Sequence, residues 1–289
     1  AIALSFLLSV RLLGQAESDF ITIALFGVLI AIMGAFDDFY NLSWKIKLFF
    51  QILFVAIPII LLNIFLNFES MLGIDLNNIL NIFISILWIV LLINSINFID
   101  NMDGLAVVVS GAICIQIILL TYIFAQNKLT DISVILLFTM FGFLIFNFPP
   151  AKLYLGDSGS LFIGFLLGFI SILFTWNNSG SQILSYILSP IILFFTIPLL
   201  DFIVIMHFRI TKKISPTTGG TDHISHRLLA KGFSEKKVLL LFFIYSVINF
   251  ILIICFVMLE GWLSVFSFLF YILQLIAMFI YLKQLEILQ

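Results

Sequence analysis

Charged side chains are scarce in this sequence of 289 residues: 10% are Asp, Glu, Lys or Arg, whereas 63% are hydrophobic. Soluble domains carry about 25% charged residues, so a soluble protein of this composition would expose too much apolar surface. The chain has only two cysteines, Cys114 and Cys255. Both lie inside apolar blocks, which argues against a disulfide or a metal pair. A net charge of −2 produces no field that attracts nucleic acid, so we expect no such partner.

Long apolar blocks fill most of the chain instead. A helix needs about 20 residues to cross a bilayer, and backbone groups in lipid must be hydrogen-bonded within the span. We therefore predict an all-α fold, a polytopic membrane helix bundle with about ten spans and the lipid bilayer as its solvent. The blocks are 2–13, 20–36, 48–66, 79–97, 105–125, 132–148, 158–175, 183–206, 238–259 and 262–282. Since the first block is short for a span, we expect a further N-terminal span before Ala1.

Basic residues are distributed unevenly between the loops on the two sides of this bundle. Eleven of the 13 Lys and Arg residues fall in one set of loops. Because loops rich in Lys and Arg stay in the cytoplasm, we assign this set to the cytoplasmic side. The set comprises 37–47, 98–104, 149–157, 207–237 and the tail after Leu282.

Acidic residues and histidines gather at span ends within these cytoplasmic loops. Carboxylates are costly inside a membrane, so their placement is informative. Four separate span ends carry them, each beside glycine, and we expect them to meet at one polar site on the inner membrane face. These residues are Asp37 with Asp38, Asp100 with Asp103, Asp157, and Asp222-His223 with His226.

Each acidic group also has a structural interpretation. The adjacent Asp37 and Asp38 form either a solvated helix end or a metal ligand beside a base. Asp157 has the position of an N-cap for the span that follows it. Asn94 and Asn97 lie near one face of a helix with Asp100, where they serve either the site or hydrogen bonds between helices.

From the residues alone, each of the remaining polar candidates also has both a functional and a structural interpretation. His223 and His226 are spaced to bind a metal ion or phosphate, or they are solvated loop residues. Lys47 is either a phosphate ligand or a membrane anchor, and Tyr154 either stacks on a flat ring or belongs to the interfacial aromatic belt. Asp201, inside an apolar block, either pairs with Arg209 or has a functional role.

Taken in this order, the motifs resemble those of the polyprenyl-phosphate N-acetylhexosamine-1-phosphate transferases. The resemblance extends from about Gly34 to Phe233. Asp37-Asp38 resemble the paired aspartates of that family, Lys47 and Gln51 its Lys-x-x-x-Gln, and Asn97, Asp100 and Asp103 its Asn-x-x-Asp-x-x-Asp-Gly. His223 and His226 resemble its histidine motif, although Ser225 stands where a histidine is common, and Ala1–Leu4 resemble the stretch after its Pro-x-Arg-x-Gly-Gly loop.

This resemblance implies a single transmembrane phosphoglycosyltransferase domain over residues 1–289. It implies transfer of N-acetylhexosamine 1-phosphate, most simply the N-acetylglucosamine compound, from a UDP-sugar to undecaprenyl phosphate at the bacterial plasma membrane, with release of UMP and a cytoplasmic active site. Mg²⁺ would be the cofactor, with Mn²⁺ as an alternative. The implied roles are catalytic for Asp37, Asp38, Asp100, Asp103, His223 and His226, substrate-binding for Lys47, Asn97, Asn147, Tyr154 and Arg227, and metal-binding for Asp157 and Asp38.

Other functions stay open at this point. Within the family, the substrate of the phospho-N-acetylmuramoyl-pentapeptide transferases is the alternative to N-acetylglucosamine. An ion-coupled transporter would also place polar residues near helix ends, but it predicts carboxylates near the bilayer midplane and broken helices. A non-catalytic membrane scaffold is a third class, and a homodimer is compatible with each of them.

Overall fold

The regular structure is entirely helical throughout the ranges that the structure describes, as predicted. The computed structural model describes residues 1–12, 18–66, 77–174, 193–213, 220 and 223–287. Eleven helices fall within these ranges: α1 (Ile2–Leu12), α2 (Ser18–Tyr40), α3 (Trp44–Leu62), α4 (Asn78–Ile99), α5 (Leu105–Ile123), α6 (Asn127–Asn147), α7 (Gly156–Leu173), α8 (Thr196–Thr211), α9 (Ile224–Ala230), α10 (Glu235–Met258) and α11 (Trp262–Ile287).

Seven of the described helices are long and apolar enough to cross a bilayer, namely α2 to α7 and α10. The apolar stretches Ile2–Arg11 and Trp262–Met278 are shorter, and the predicted block 183–206 lies partly outside the described residues. The polytopic membrane bundle is therefore confirmed, whereas about ten spans and a span before Ala1 are not.

The boundaries of two helices near the polar residues follow from the local sequence. α6 ends at Asn147, just before the two prolines at 149 and 150, because proline cannot continue a helix. The short helix α9 begins at Ile224, directly after His223. Asp222 lies outside the described residues.

The chain divides into two compact units, Ala1–Ser181 and Gln182–Gln289. In the first unit, α7 is the central helix and packs mainly on α2 and α4. Every residue of α7 from Ser160 to Ile172 is buried, whereas the other spans of this unit also carry exposed residues that suit a lipid-facing surface. The unit is thus a bundle built around one enclosed helix.

Glycines allow α7 to approach both neighbours closely. A Cβ atom on Gly34 of α2 would lie 2.6 Å from the backbone carbonyl of Asp157 in α7. A Cβ atom on Gly164 of α7 would lie 2.7 Å from the Cα atom of Ile93 in α4. Small residues at such crossings let helix backbones come into contact in membranes. The N-terminal turn of α7 is therefore held directly against the end of α2.

We expect Gly164→Ala to destabilise the first unit, because the new methyl group would overlap backbone that cannot move aside cheaply. Overpacking of this kind costs about 1–3 kcal/mol. Gly142→Ala in α6 is the matched control, since a Cβ atom there meets nothing within 4 Å. Apparent unfolding midpoints in detergent should fall for Gly164→Ala alone; equal midpoints for the two variants would contradict the packing.

Candidate active site

Lys47 joins two carboxylates that belong to different helices. Its Nζ atom, at the start of α3, donates to Asp37 near the end of α2 and lies 3.2 Å from Oδ2 of Asp157 in α7. Asp37 is also buried and accepts a second hydrogen bond, from the backbone N–H of Leu42 at 2.7 Å. A buried carboxylate needs this compensation. The lysine therefore draws the ends of α2 and α7 together.

Asp38 satisfies the backbone at the start of α7. Its two carboxylate oxygens accept from the backbone N–H groups of Asp157 at 3.0 Å and Ser158 at 3.3 Å. Gly156, the first residue of α7, has a φ of +64°, which favours glycine, and a Cβ atom there would lie 2.8 Å from Asp38. The N-cap interpretation of Asp157 is wrong, because Asp157 lies within the first turn and a residue 119 positions away supplies the cap.

Asparagines of α4 hold the other side of this arrangement. Nδ2 of Asn97 donates to Oδ1 of Asp157 and to Oγ of Ser160, both at 2.9 Å. One turn earlier, Nδ2 of Asn94 donates to Oε1 of the buried Gln51 of α3 at 2.8 Å. The hydrogen bonds between helices that the sequence suggested for these asparagines are confirmed, and Asn97 also contacts the carboxylate cluster. Asp157 is consequently oriented from both sides, by Asn97 and by Lys47.

Asp100 and Asp103 flank the connection between α4 and α5. Burial of the Asp100 carboxyl group, together with the negative charges of Asp157, Asp38 and Asp103, raises its pKa from 3.8 to about 7. Asp103 accepts a hydrogen bond from the backbone N–H of Ala151 at 2.8 Å, which ties it to the connection between α6 and α7. The mutual electrostatic influence shows that these carboxylates share one polar region at one end of the bundle.

Asn147 and Tyr154 occupy different environments beside this region. Asn147 is buried, accepts from the backbone N–H of Gly104 at 3.0 Å and donates to the backbone carbonyl of Leu153 at 2.8 Å. The Asn147 amide thus links the connection between α4 and α5 to the connection between α6 and α7. Tyr154 is 78% exposed, which leaves its ring accessible for stacking. The substrate-binding roles of both residues stay predictions.

His223, His226 and Arg227 lie in the second unit. His223 precedes α9, and its ring centroid lies 6.2 Å from that of His226. Arg227 is buried, with its guanidinium 5.4 Å from the ring of Phe208. Asp201 of α8 accepts from Nδ1 of His223 at 2.9 Å, a contact that the sequence did not reveal. The catalytic roles of the histidines and the substrate contact of Arg227 stay predictions.

The donor chemistry of the first unit suits a hard cation. Within the described residues, no three His, Cys, Asp or Glu side chains form a group that could hold a metal ion by themselves. Mg²⁺ is commonly bound by one or two carboxylates together with substrate phosphates, so a complete protein cage is not required. Burial, followed by the negative charges of Asp157, Asp38 and Asp103, raises the pKa of Asp100, so a cation at this position would favour the ionised carboxylate. These carboxylates therefore fit the predicted metal ligands.

Comparisons with known proteins agree with this site. The chain matches glycosyl transferase family 4 over residues 20–175, a range that contains Asp37, Asp38, Asp100, Asp103 and Asp157. It is 33% identical over 256 residues to a Bacillus subtilis protein named as a probable undecaprenyl-phosphate N-acetylglucosaminyl 1-phosphate transferase, covering 86% of this chain and 69% of the relative. The chain therefore belongs to glycosyl transferase family 4.

Two further relatives are named for different transferase activities. A decaprenyl-phosphate N-acetylglucosaminephosphotransferase of Mycolicibacterium smegmatis is 29% identical over 246 residues, covering 76% of this chain and 59% of the relative. A phospho-N-acetylmuramoyl-pentapeptide-transferase of Rickettsia bellii is 30% identical over 285 residues, covering 86% of this chain and 75% of the relative. The family is thus established, and the substrate is a separate question.

We expect Asp100→Asn to stabilise the protein above neutral pH but not in acid. Because the pKa of Asp100 is higher in the folded state, the folded protein holds the proton more tightly, and stability falls as pH rises from about 4 through about 7. Asparagine does not ionise, so the variant avoids this loss. Its free energy of unfolding should exceed that of the wild type by about 2 kcal/mol near pH 8, after solvent screening, and by close to zero near pH 4. Unfolding midpoints in detergent with EDTA measure it.

The control for this experiment is Asp131→Asn, at an exposed carboxylate near the start of α6. It should show no pH-dependent gain. A stabilisation of Asp100→Asn that is as large in acid as in alkaline buffer would contradict the electrostatic cause.

Proposed function

We propose that this chain transfers N-acetylglucosamine 1-phosphate from UDP-N-acetylglucosamine to undecaprenyl phosphate and releases UMP. The observation that carries the proposal is the meeting of five aspartates and Lys47 at one end of the first unit, in a chain of glycosyl transferase family 4. The relatives named for polyprenyl-phosphate N-acetylglucosamine transfer support the substrate pair. This would be the first membrane step of cell-envelope polysaccharide synthesis.

The reaction is a phosphoryl transfer, in which catalysis is mainly positioning and charge stabilisation. An oxygen of the lipid phosphate forms a bond to the sugar-bound phosphorus, and the bond from that phosphorus to the oxygen of UMP breaks. Direct attack suits this chemistry because the lipid phosphate is already anionic. Asp37 would accept the remaining proton of the lipid phosphate.

A two-step path with Asp38 as the nucleophile is less well supported by the contacts. Both oxygens of Asp38 accept backbone N–H groups of α7, so attack by Asp38 would loosen the cap of that helix. Lys47, between Asp37 and Asp157, is placed to offset charge on a bound phosphate. Tyr154 is accessible for a contact with the uracil ring.

Asp157 and Asp38 would hold Mg²⁺, for which Mn²⁺ is an alternative. When bound, the ion neutralises charge on the diphosphate of the sugar nucleotide. Asn97 would keep the Asp157 carboxylate oriented toward the ion, because it already donates to one of its oxygens. The site would face the cytoplasm of a bacterial cell, since the loops 37–47, 98–104 and 149–157 belong to the set that holds eleven of the 13 basic residues.

The activity is tested by UMP release from purified protein in detergent with undecaprenyl phosphate and Mg²⁺. We expect release with UDP-N-acetylglucosamine, and little with UDP-N-acetylgalactosamine or UDP-N-acetylmuramoyl-pentapeptide. Preference for the pentapeptide would move the chain to the substrate named for its Rickettsia relative. Folded protein that releases no UMP from any of the three nucleotides would overturn the proposal.

The metal role is tested with Asp157→Asn and EDTA. Asp157→Asn removes a carboxylate ligand of the metal ion and so weakens the stabilisation of charge in the transition state. We therefore expect kcat to fall at least about 100-fold. Mg²⁺ should raise the unfolding midpoint of the wild-type protein and of the control Asp131→Asn, but not that of Asp157→Asn. Turnover that survives both EDTA and the Asp157 substitution would remove the metal from the mechanism.

A further inference from the structure

Ser160 is a fully buried serine that lies about one helical turn after Asp157 in α7. Its Oγ atom donates to the backbone carbonyl of Gly156 at 2.9 Å and accepts from Nδ2 of Asn97, also at 2.9 Å. The same Nδ2 atom donates its other hydrogen to Oδ1 of Asp157. The amide group of Asn97 therefore joins the serine to a carboxylate of the site.

These hydrogen bonds fix the orientation of the Asn97 amide. An ionised carboxylate only accepts hydrogen bonds, and the Ser160 hydroxyl donates its single hydrogen to Gly156, so both partners of the amide are acceptors. The amide nitrogen must face them, because a flipped amide would place its carbonyl oxygen against two acceptors. Without Ser160, only the bond to Asp157 would hold the amide from α7. The serine is thus the fixed point against which Asn97 orients the carboxylate.

A second serine of α7 provides the comparison with ordinary helix packing. Ser171 is also buried and lies eleven residues after Ser160, about three turns along the same helix. Its Oγ atom accepts from Nε1 of Trp88 in α4 at 2.9 Å and donates to the backbone carbonyl of Gly168 at 2.6 Å. Both serines therefore make the same kind of bond between α4 and α7, but Ser160 is the one whose partner donates to Asp157.

We propose that Ser160 is a positioning residue that, through Asn97, keeps the Asp157 carboxylate in the orientation that binds a divalent cation. This proposal rests on the proposed function for the role of Asp157 as a metal ligand. Ser160 touches neither the ion nor the substrate; it acts through Asn97. Loss of a residue that orients a metal ligand typically lowers metal affinity by about 10–100-fold. A purely structural role would require only the bond between α4 and α7 that Ser171 also makes.

Mg²⁺ binding tests the proposal without turnover. The unfolding midpoint of purified protein in detergent is measured against Mg²⁺ concentration, after removal of metal with EDTA. Ser160→Ala should raise the concentration that gives half of the full increase in midpoint by about 10-fold, because Asp157 is no longer held in one orientation. Ser171→Ala removes the matched hydrogen bond and should leave this concentration unchanged. Both variants should unfold at a lower temperature than the wild type without Mg²⁺.

A double variant tests whether Ser160 acts through Asn97. Asn97→Ala should raise the Mg²⁺ requirement at least as much as Ser160→Ala does. Adding Ser160→Ala to Asn97→Ala should then change it by less than about 3-fold, because the amide through which the serine acts is already gone. Ser160→Thr, which keeps the hydroxyl group, should recover part of the wild-type affinity. In UMP release, the loss caused by Ser160→Ala should be largest at limiting Mg²⁺ and should shrink as Mg²⁺ is raised.

The outcomes separate this proposal from the proposed function. The positioning role would be overturned by equal Mg²⁺ requirements of wild-type protein and folded Ser160→Ala, by an equal shift in Ser171→Ala, or by additive shifts in the double variant. A wild-type midpoint that does not respond to Mg²⁺ would overturn it as well. If no UDP-sugar supports UMP release, the proposed function fails, while the Mg²⁺ titrations still decide whether Ser160 sets the metal affinity through Asn97.

Discussion

The start of α7 imposes the constraint on which the first unit depends. The first backbone N–H groups of a helix have no intrahelical partner, and the carboxylate of Asp38 accepts two of those of α7. This contact requires the end of α2 to lie against α7, which glycine at position 34 permits. Once the two helix ends touch, Asp37 and Asp157 come within reach of the same lysine.

The resulting cluster combines several negative charges with one contacting cation. Lys47 is close to Asp37 and Asp157, and burial together with the neighbouring carboxylates raises the pKa of Asp100. The carboxylates of such a site repel an anionic substrate by itself and favour an anion that binds together with a cation. That preference accords with a family whose members transfer phosphorylated sugars, and it links the electrostatics of the fold to the proposed chemistry.

The sequence predicted that the aspartates at three span ends meet, because carboxylates are costly in a membrane unless they have partners or a function. The predicted approach of His223 and His226 to the same site stays a prediction. The sequence also predicted the helical class. It could not predict that Asp38 caps α7, since this contact joins residues 119 positions apart and depends on how two helices cross. The brace made by Asn147 and the contact of Asp201 with His223 are non-local in the same way.

Ser160 is the site residue that sequence reasoning missed. It receives a hydrogen bond from Asn97 and lies three residues after Asp157, so the two share nearly one helix face. That spacing could have identified Ser160 as a site residue, but a serine among glycines is also typical of ordinary helix packing. Only the position of α4 distinguishes the two interpretations.

The enclosure of α7 separates the chemistry from the surrounding lipid. Residues Ser160 to Ile172 are covered by protein, so changes in bilayer thickness or fluidity act first on the tilt of the outer spans. They reach Asp157 through the helices that contact α7, among them α2, α3 and α4. A cell that remodels its membrane lipids with temperature would therefore retain the geometry of this carboxylate while the outer helices adjust around it.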